Sequence, residues 1–167
     1  MAGQGQQLVK IGVGGGCHWC TEAVFQALIG VEKVEQGFIA ALSPDDEFSE
    51  AVLVHFDPSI MPVEVLLDIH LRTHASTSNH KMRGKYRSAV YVFDAAQEHD
   101  AHTILEGLQE DFEDPLVTRV LKFHDFKVSD ERFRNYYATG PGKPFCRTYI
   151  DPKLRLLKRS YGKRLAR

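Results

Sequence analysis

Positions 14–20 read Gly-Gly-Gly-Cys-His-Trp-Cys, between the apolar run Leu8–Val13 and the helical stretch Thr21–Leu28. Two cysteines three residues apart at such a junction can do thiol chemistry. Glycines let the strand turn tightly. The unpaired N–H groups and positive end of the following helix favour negative charge. Cys17 is therefore expected to ionise below an ordinary cysteine, and the thiolate is the nucleophilic form.

A Cys-x-x-Cys pair has other readings: half of a zinc site, a dithiol redox centre, or two buried cysteines. A zinc site needs a second pair of ligands at short spacing. His18, His74, His80 and Cys146 stand singly in the chain, so no metal is expected. The glycine–strand–helix setting favours a reactive thiol.

These residues need a scaffold. Leu8–Val13 reads as a strand, and Thr21–Leu28 as a helix that sets Ala23, Val24, Ala27 and Leu28 on one face and stops at Gly30. Val31–Ala40 and Glu50–Phe56 read as two strands joined through polar Ser43–Glu47. Pro62 starts a second helix, and the polar loop Thr73–Lys85 leads to a strand over Arg87–Phe93. Strand–helix–strand–strand–helix–strand is the ferredoxin-like split βαβ order, an α/β (α+β) two-layer sandwich. Ala95–Phe112 adds a helix, Arg119–Val128 a fifth strand and Ser129–Ala138 a fourth helix. Past Gly140–Pro144 a coil tail is expected to wrap the surface.

At 167 residues, 43% hydrophobic and 26% charged, the chain reads as a single domain, with flexible ends at about 1–7 and 158–167. A net charge of −1 gives no argument for nucleic acid or an anionic membrane, and the basic residues near the end read as a solvated tail. No apolar run is long enough to span a bilayer, and the first residues lack the pattern of a signal peptide. The expected compartment is the cytoplasm, where three cysteines argue for redox or catalytic use rather than a disulfide framework.

Four ordered motifs carry a resemblance. Gly16-Cys17-His18-Trp19-Cys20-Thr21-Glu22 resembles the Gly-Cys-Phe-Trp signature of the A-type peptide methionine sulfoxide reductases. Ser49-Glu50-Ala51-Val52 with Asp57-Pro58, Tyr86-Arg87-Ser88, and Pro144-Phe145-Cys146 with Asp151-Pro152-Lys153 match further family segments in the same order. The similarity runs from about Lys10 to Lys153.

The resemblance implies reduction of methionine-S-sulfoxide, free or in proteins, without metal or organic cofactor. Cys17 would attack the sulfoxide sulfur and become a sulfenic acid. Its leaving oxygen needs a proton, and Glu50, at the mouth of an otherwise apolar strand, is the implied donor. Tyr86 would donate a hydrogen bond to that oxygen. Trp19, the only tryptophan, offers an aromatic face to the S-methyl group. Cys146 is the implied resolving cysteine, with Cys20 as its rival one helical turn from Cys17. Thioredoxin or a similar dithiol would restore the thiols.

The pattern also breaks. His18 replaces the usual phenylalanine of the methyl-binding wall and sets an ionisable ring beside the thiolate. Phe38 stands where a second oxygen-binding tyrosine is usual. Lys81 falls near an expected aspartate, and Phe133-Arg134 replaces His-Gln. Asn79, His80 and Lys81 are candidates for the missing loop contacts, or ordinary loop groups. Two rival functions remain open on sequence: a general Cys-x-x-Cys dithiol–disulfide oxidoreductase, and a metal- or sulfoxide-binding module without turnover.

Overall fold

A computed structural model describes residues 7–140 and 142–166. The chain runs β1 (Val9–Gly14), α1 (His18–Gln26), β2 (Val31–Ala41), β3 (Ser49–Phe56), α2 (Val63–Arg72), β4 (Ala89–Val92), α3 (Ala95–Leu108), β5 (Arg119–Val128), α4 (Tyr136–Thr139) and α5 (Asp151–Tyr161). β1 lies between β3 and β4 and is antiparallel to both, while β2 pairs with the far side of β3. That is the order β4–β1–β3–β2 of the expected split βαβ core. β5 then pairs antiparallel with β2 and parallel with β4, which closes the sheet into a five-stranded barrel.

Strand alternation builds two cores. Val52 and Val54 of β3 face the helices with Ile11, Val13, Phe25 and Leu66, whereas Ala51 and Leu53 face the barrel interior with Ile39, Ala89 and Tyr91. A strand buried on both faces reads as an unbroken apolar run, as β3 does. The barrel is narrow. A Cβ at Gly12 would meet Ile39 at 2.8 Å and Tyr91 at 2.9 Å, so β1 passes there only without a side chain.

Three expectations for the second half need correction. Ser129–Ala138 is not one helix: a 3-10 turn at Glu131–Phe133 is followed by Asn135 at φ 54 and by the single turn of α4. The tail is helical rather than coil. A π-turn over Cys146–Ile150 feeds α5, where Asp151 sits in the first turn and Lys158 and Arg159 in the last, matching the helix dipole. Nor do residues 158–166 form a loose end. Leu157 is buried, Tyr161 donates to Asp68 at 2.6 Å, and Ala166 N–H reaches the Ala27 carbonyl at 2.7 Å. The expected flexible N-terminus lies outside the described residues except for Gln7, which has no regular structure. Among the described residues, no helix is long and apolar enough to cross a membrane.

Candidate active site

β1 hands the chain to α1 through Gly14–Gly16, and buried groups hold that turn. His70 of α2 donates its Nε2–H to the Gly14 carbonyl at 2.9 Å, and Arg83 donates to the Gly15 carbonyl at 2.8 Å. A Cβ on Gly15 would collide with the His74 ring. His74 donates Nδ1–H to the His70 carbonyl, so its Nε2 accepts from Ser88, whose hydroxyl meets that of Thr118 at 2.7 Å. Burial holds His70 down to about pKa 4 and His74 well below the ordinary histidine range. Neutral imidazoles therefore brace the turn.

Cys17 caps α1, its carbonyl accepting from Cys20 N–H at 3.0 Å and Thr21 N–H at 3.1 Å. Its thiol is half-buried and its pKa is lowered. The largest cause is the Cys20 thiol acting as a hydrogen-bond donor, with smaller help from the amides of Trp19 and Cys20. Burial and the nearby Glu50 oppose it. Cys20 is raised in return, because it keeps the shared proton and is buried. The thiolate expected at residue 17 thus owes more to its partner cysteine than to the helix end. The half-buried Lys153 ammonium also lies within electrostatic reach of both thiols.

Glu50 sits beside this nucleophile. Its Oε1 accepts the backbone N–H of His18, the residue after Cys17, at 3.1 Å. The His18 ring donates Nδ1–H to the Gly37 carbonyl at 2.8 Å, leaving Nε2 facing Glu50 Oε1 at 3.6 Å. Both side chains are buried. Phe38 is the cross-strand register partner of Glu50 and packs edge-on against His18 at 5.1 Å. Lys85 Nζ lies 3.6 Å from Glu50 Oε2 and 5.2 Å from the centre of the Tyr86 ring. Glu50, His18, Phe38 and, through Lys85, Tyr86 therefore form one side of the site.

The other side is aromatic and sulfurous. Cys20 and Cys146 share a buried cluster with Ala23 and Ile150, against which Cys17, Trp19, Tyr136 and Phe145 pack. Burial pushes the Cys146 thiol up, and its Sγ lies 3.4 Å from the Gly140 carbonyl. Trp19 stacks flat on Tyr136, centroids 4.1 Å apart, and meets Phe145 edge-on at 5.1 Å. One indole face is thus already covered, and its buried N–H has no partner among the described residues.

Cys17, His18, Trp19, Cys20, Phe38, Glu50, Tyr86 and Cys146 lie on one of these two sides, whereas His74 braces the glycine turn and His80 and Lys81 are exposed at a separate 3-10 turn. Sequence reasoning missed Glu22, His70, Arg83, Lys85 and Tyr136. Glu22 carried no signal: it lies opposite the face of Ala23, Val24, Ala27 and Leu28, and is buried only because the Asn135–Tyr136 segment closes over it. Among the described residues, no group of three or more His, Cys, Asp or Glu side chains is placed to hold a metal ion.

The family profile described as Peptide methionine sulfoxide reductase matches residues 9–165. The chain belongs to that family. A peptide methionine sulfoxide reductase of Deinococcus radiodurans is 36% identical, the match covering 90% of this chain and 81% of the relative. The fold resembles that of Mxr1 from Saccharomyces cerevisiae in reduced form, with a TM-score of 0.72 at 20% identity over 86% of this chain and 91% of that one. It also resembles Mxr1 in complex with Trx2, with a TM-score of 0.59 at 18% identity over 78% and 85% of the two chains. Within this peptide methionine sulfoxide reductase family member, Cys17, Trp19, Glu50 and Tyr86 stand with His18, Phe38 and Lys85 around them.

Proposed function

We propose that this chain reduces methionine-S-sulfoxide to methionine, with Cys17 as nucleophile and Glu50 as proton donor. The observation that carries this assignment is the His18 N–H bond to Glu50 Oε1, which ties the carboxyl group to the residue next to Cys17. An attacking sulfur and an acid held one residue apart suit a reaction in which one sulfur gains the oxygen that another loses.

The Cys17 thiolate attacks the sulfoxide sulfur, and the electron pair it supplies reduces that sulfur to the thioether. The sulfur–oxygen bond of the substrate breaks, and the oxygen passes to Cys17 with the proton from Glu50 as a sulfenic acid. Tyr86 donates a hydrogen bond to the oxygen during transfer. A second thiol then attacks the sulfenic sulfur, forming a disulfide and releasing water. The influence of Cys20 on Cys17 supports Cys20 as the first partner. Cys146, packed in the same cluster, supports a second exchange that moves the disulfide to the turn before α5.

A thioredoxin-like dithiol regenerates the thiols by exchange. The complex of Mxr1 with Trx2 supports a carrier of that kind. No metal or organic cofactor enters any step. Three cysteines, all free in the structure, suit the reducing cytoplasm, where we place the protein.

The test is stereochemical. With a small dithiol as reductant, the protein should form methionine from the S-sulfoxide and not from the R-sulfoxide, and Cys17→Ser should form none. Equal use of both epimers, or full activity in Cys17→Ser, would overturn the assignment.

A further inference from the structure

Glu50 meets a cation that the sequence motifs do not account for. Lys85 Nζ is 3.6 Å from Glu50 Oε2, and the Tyr86 ring lies beneath the same ammonium. The arrangement is anchored in the backbone. The Lys85 carbonyl accepts from Glu50 N–H at 3.0 Å and from the Ser49 hydroxyl at 2.8 Å, while Arg87 N–H donates to that hydroxyl at 2.8 Å. The start of β3 and the segment before β4 are thereby stitched together, and Lys85 stays beside the carboxyl group. Opposite Glu50 across the β2–β3 ladder stands Phe38, which has no hydroxyl to offer.

We propose that Lys85 is a catalytic residue of the oxygen-transfer step, its ammonium contacting the sulfoxide oxygen between Tyr86 and Glu50. This rests on the reduction proposed above. As the oxygen leaves with the Glu50 proton, negative charge that began on the Cys17 thiolate arrives on the Glu50 carboxylate. An ammonium already in place stabilises that new anion and the polarised oxygen together. It gives up no proton itself. Its contribution is greater in the transition state than before it, which is the condition for raising the rate. An exposed lysine is charged at neutral pH, so the ammonium is present before the step, when Glu50 holds its proton, and after it, when Glu50 is a carboxylate. The exposure of Lys85 to solvent tempers the effect relative to an enclosed donor.

Single-turnover methionine formation from saturating methionine-S-sulfoxide tests this. Lys85→Met should lower the saturating rate about 10-fold with KM nearly unchanged, while Lys85→Arg should keep most of it. Phe38→Tyr, which restores a hydroxyl opposite Glu50, should recover part of the loss in the Lys85→Met background. Lys158→Met, on the exposed last turn of α5, should leave the rate unchanged. Lys85→Met within about twofold of wild type, an equal loss in Lys158→Met, or an Arg variant as slow as the Met variant would overturn the role of Lys85. A wild-type chain unable to reduce the sulfoxide would instead overturn the parent reading.

Discussion

The buried carboxylate of Glu22 accepts the backbone N–H of Tyr136 at 3.2 Å and so fixes the ring that lies flat on Trp19. Glu22 also accepts from Asn135 N–H at 2.9 Å and from Gln36 Nε2 at 2.9 Å. One carboxylate in the second turn of α1 thus seats the segment that covers the tryptophan beside the nucleophile. It does so across more than a hundred residues of sequence.

Removing that anchor should be costly. Glu22→Ala leaves three donors without their acceptor and should destabilise the fold by about 2–4 kcal/mol, read by urea unfolding. Because Trp19 is the only tryptophan, its fluorescence reports the stack directly. Loss of Tyr136 from its face should shift the emission to the red. An unchanged spectrum in a folded Glu22→Ala protein would contradict the anchoring role.

The partner thiol predicts a pH effect at Cys17. Its pKa is lowered chiefly by the Cys20 thiol, so removing that donor should raise it and shrink the thiolate fraction at neutral pH. Alkylation of Cys17 followed against pH, in Cys146→Ala and in Cys20→Ala/Cys146→Ala, checks this. The inflection should move to higher pH in the second protein. A lower or unmoved inflection would remove Cys20 as the cause.

The histidines under the glycine turn predict acid sensitivity. Burial is the main cause that lowers His70 from 6.5 to about 4, with the Arg83 charge adding to it and the bond to the Gly14 carbonyl opposing. The His74 ring lies 4.3 Å away. A histidine depressed in the folded state binds its proton more readily when unfolded. Its contribution to stability is full above pH 6.5 and is lost as the pH falls toward 4. His70 should account for about 3 kcal/mol of loss over that window, and His70→Gln should remove that share while the share of His74 remains. Urea unfolding at several pH values in both proteins gives the comparison, and parallel curves would rule His70 out.

Much of this was legible in the sequence, for identifiable reasons. β5 spans Arg119–Val128 as its pattern indicates, because strand signals are local. Barrel closure was not, since it depends on β5 pairing with two distant strands at once. The single helix expected over Ser129–Ala138 failed at Asn135, whose left-handed backbone is held by Glu22 from far upstream. Past the break at Gly140–Pro144 the tail helix is not legible locally, because Leu154 and Leu157 find their role only against a core already built by α1 and α2. In the site, Cys17, Trp19 and Glu50 declare themselves through residue type and motif. Lys85 does not, because an exposed lysine in a polar loop gains meaning only when β3 and β4 bring it to a carboxylate.

The central claim is that the sulfur of Cys17 takes the oxygen. The reduced protein mixed with excess methionine-S-sulfoxide and no reductant should form about one methionine per chain, and fragments mapped by mass should show Cys17 joined to Cys20 or Cys146 or trapped as its sulfenic acid. Methionine formed while Cys17 remains a free thiol, or a Cys20–Cys146 disulfide appearing in the Cys17→Ser protein with the same yield, would contradict it.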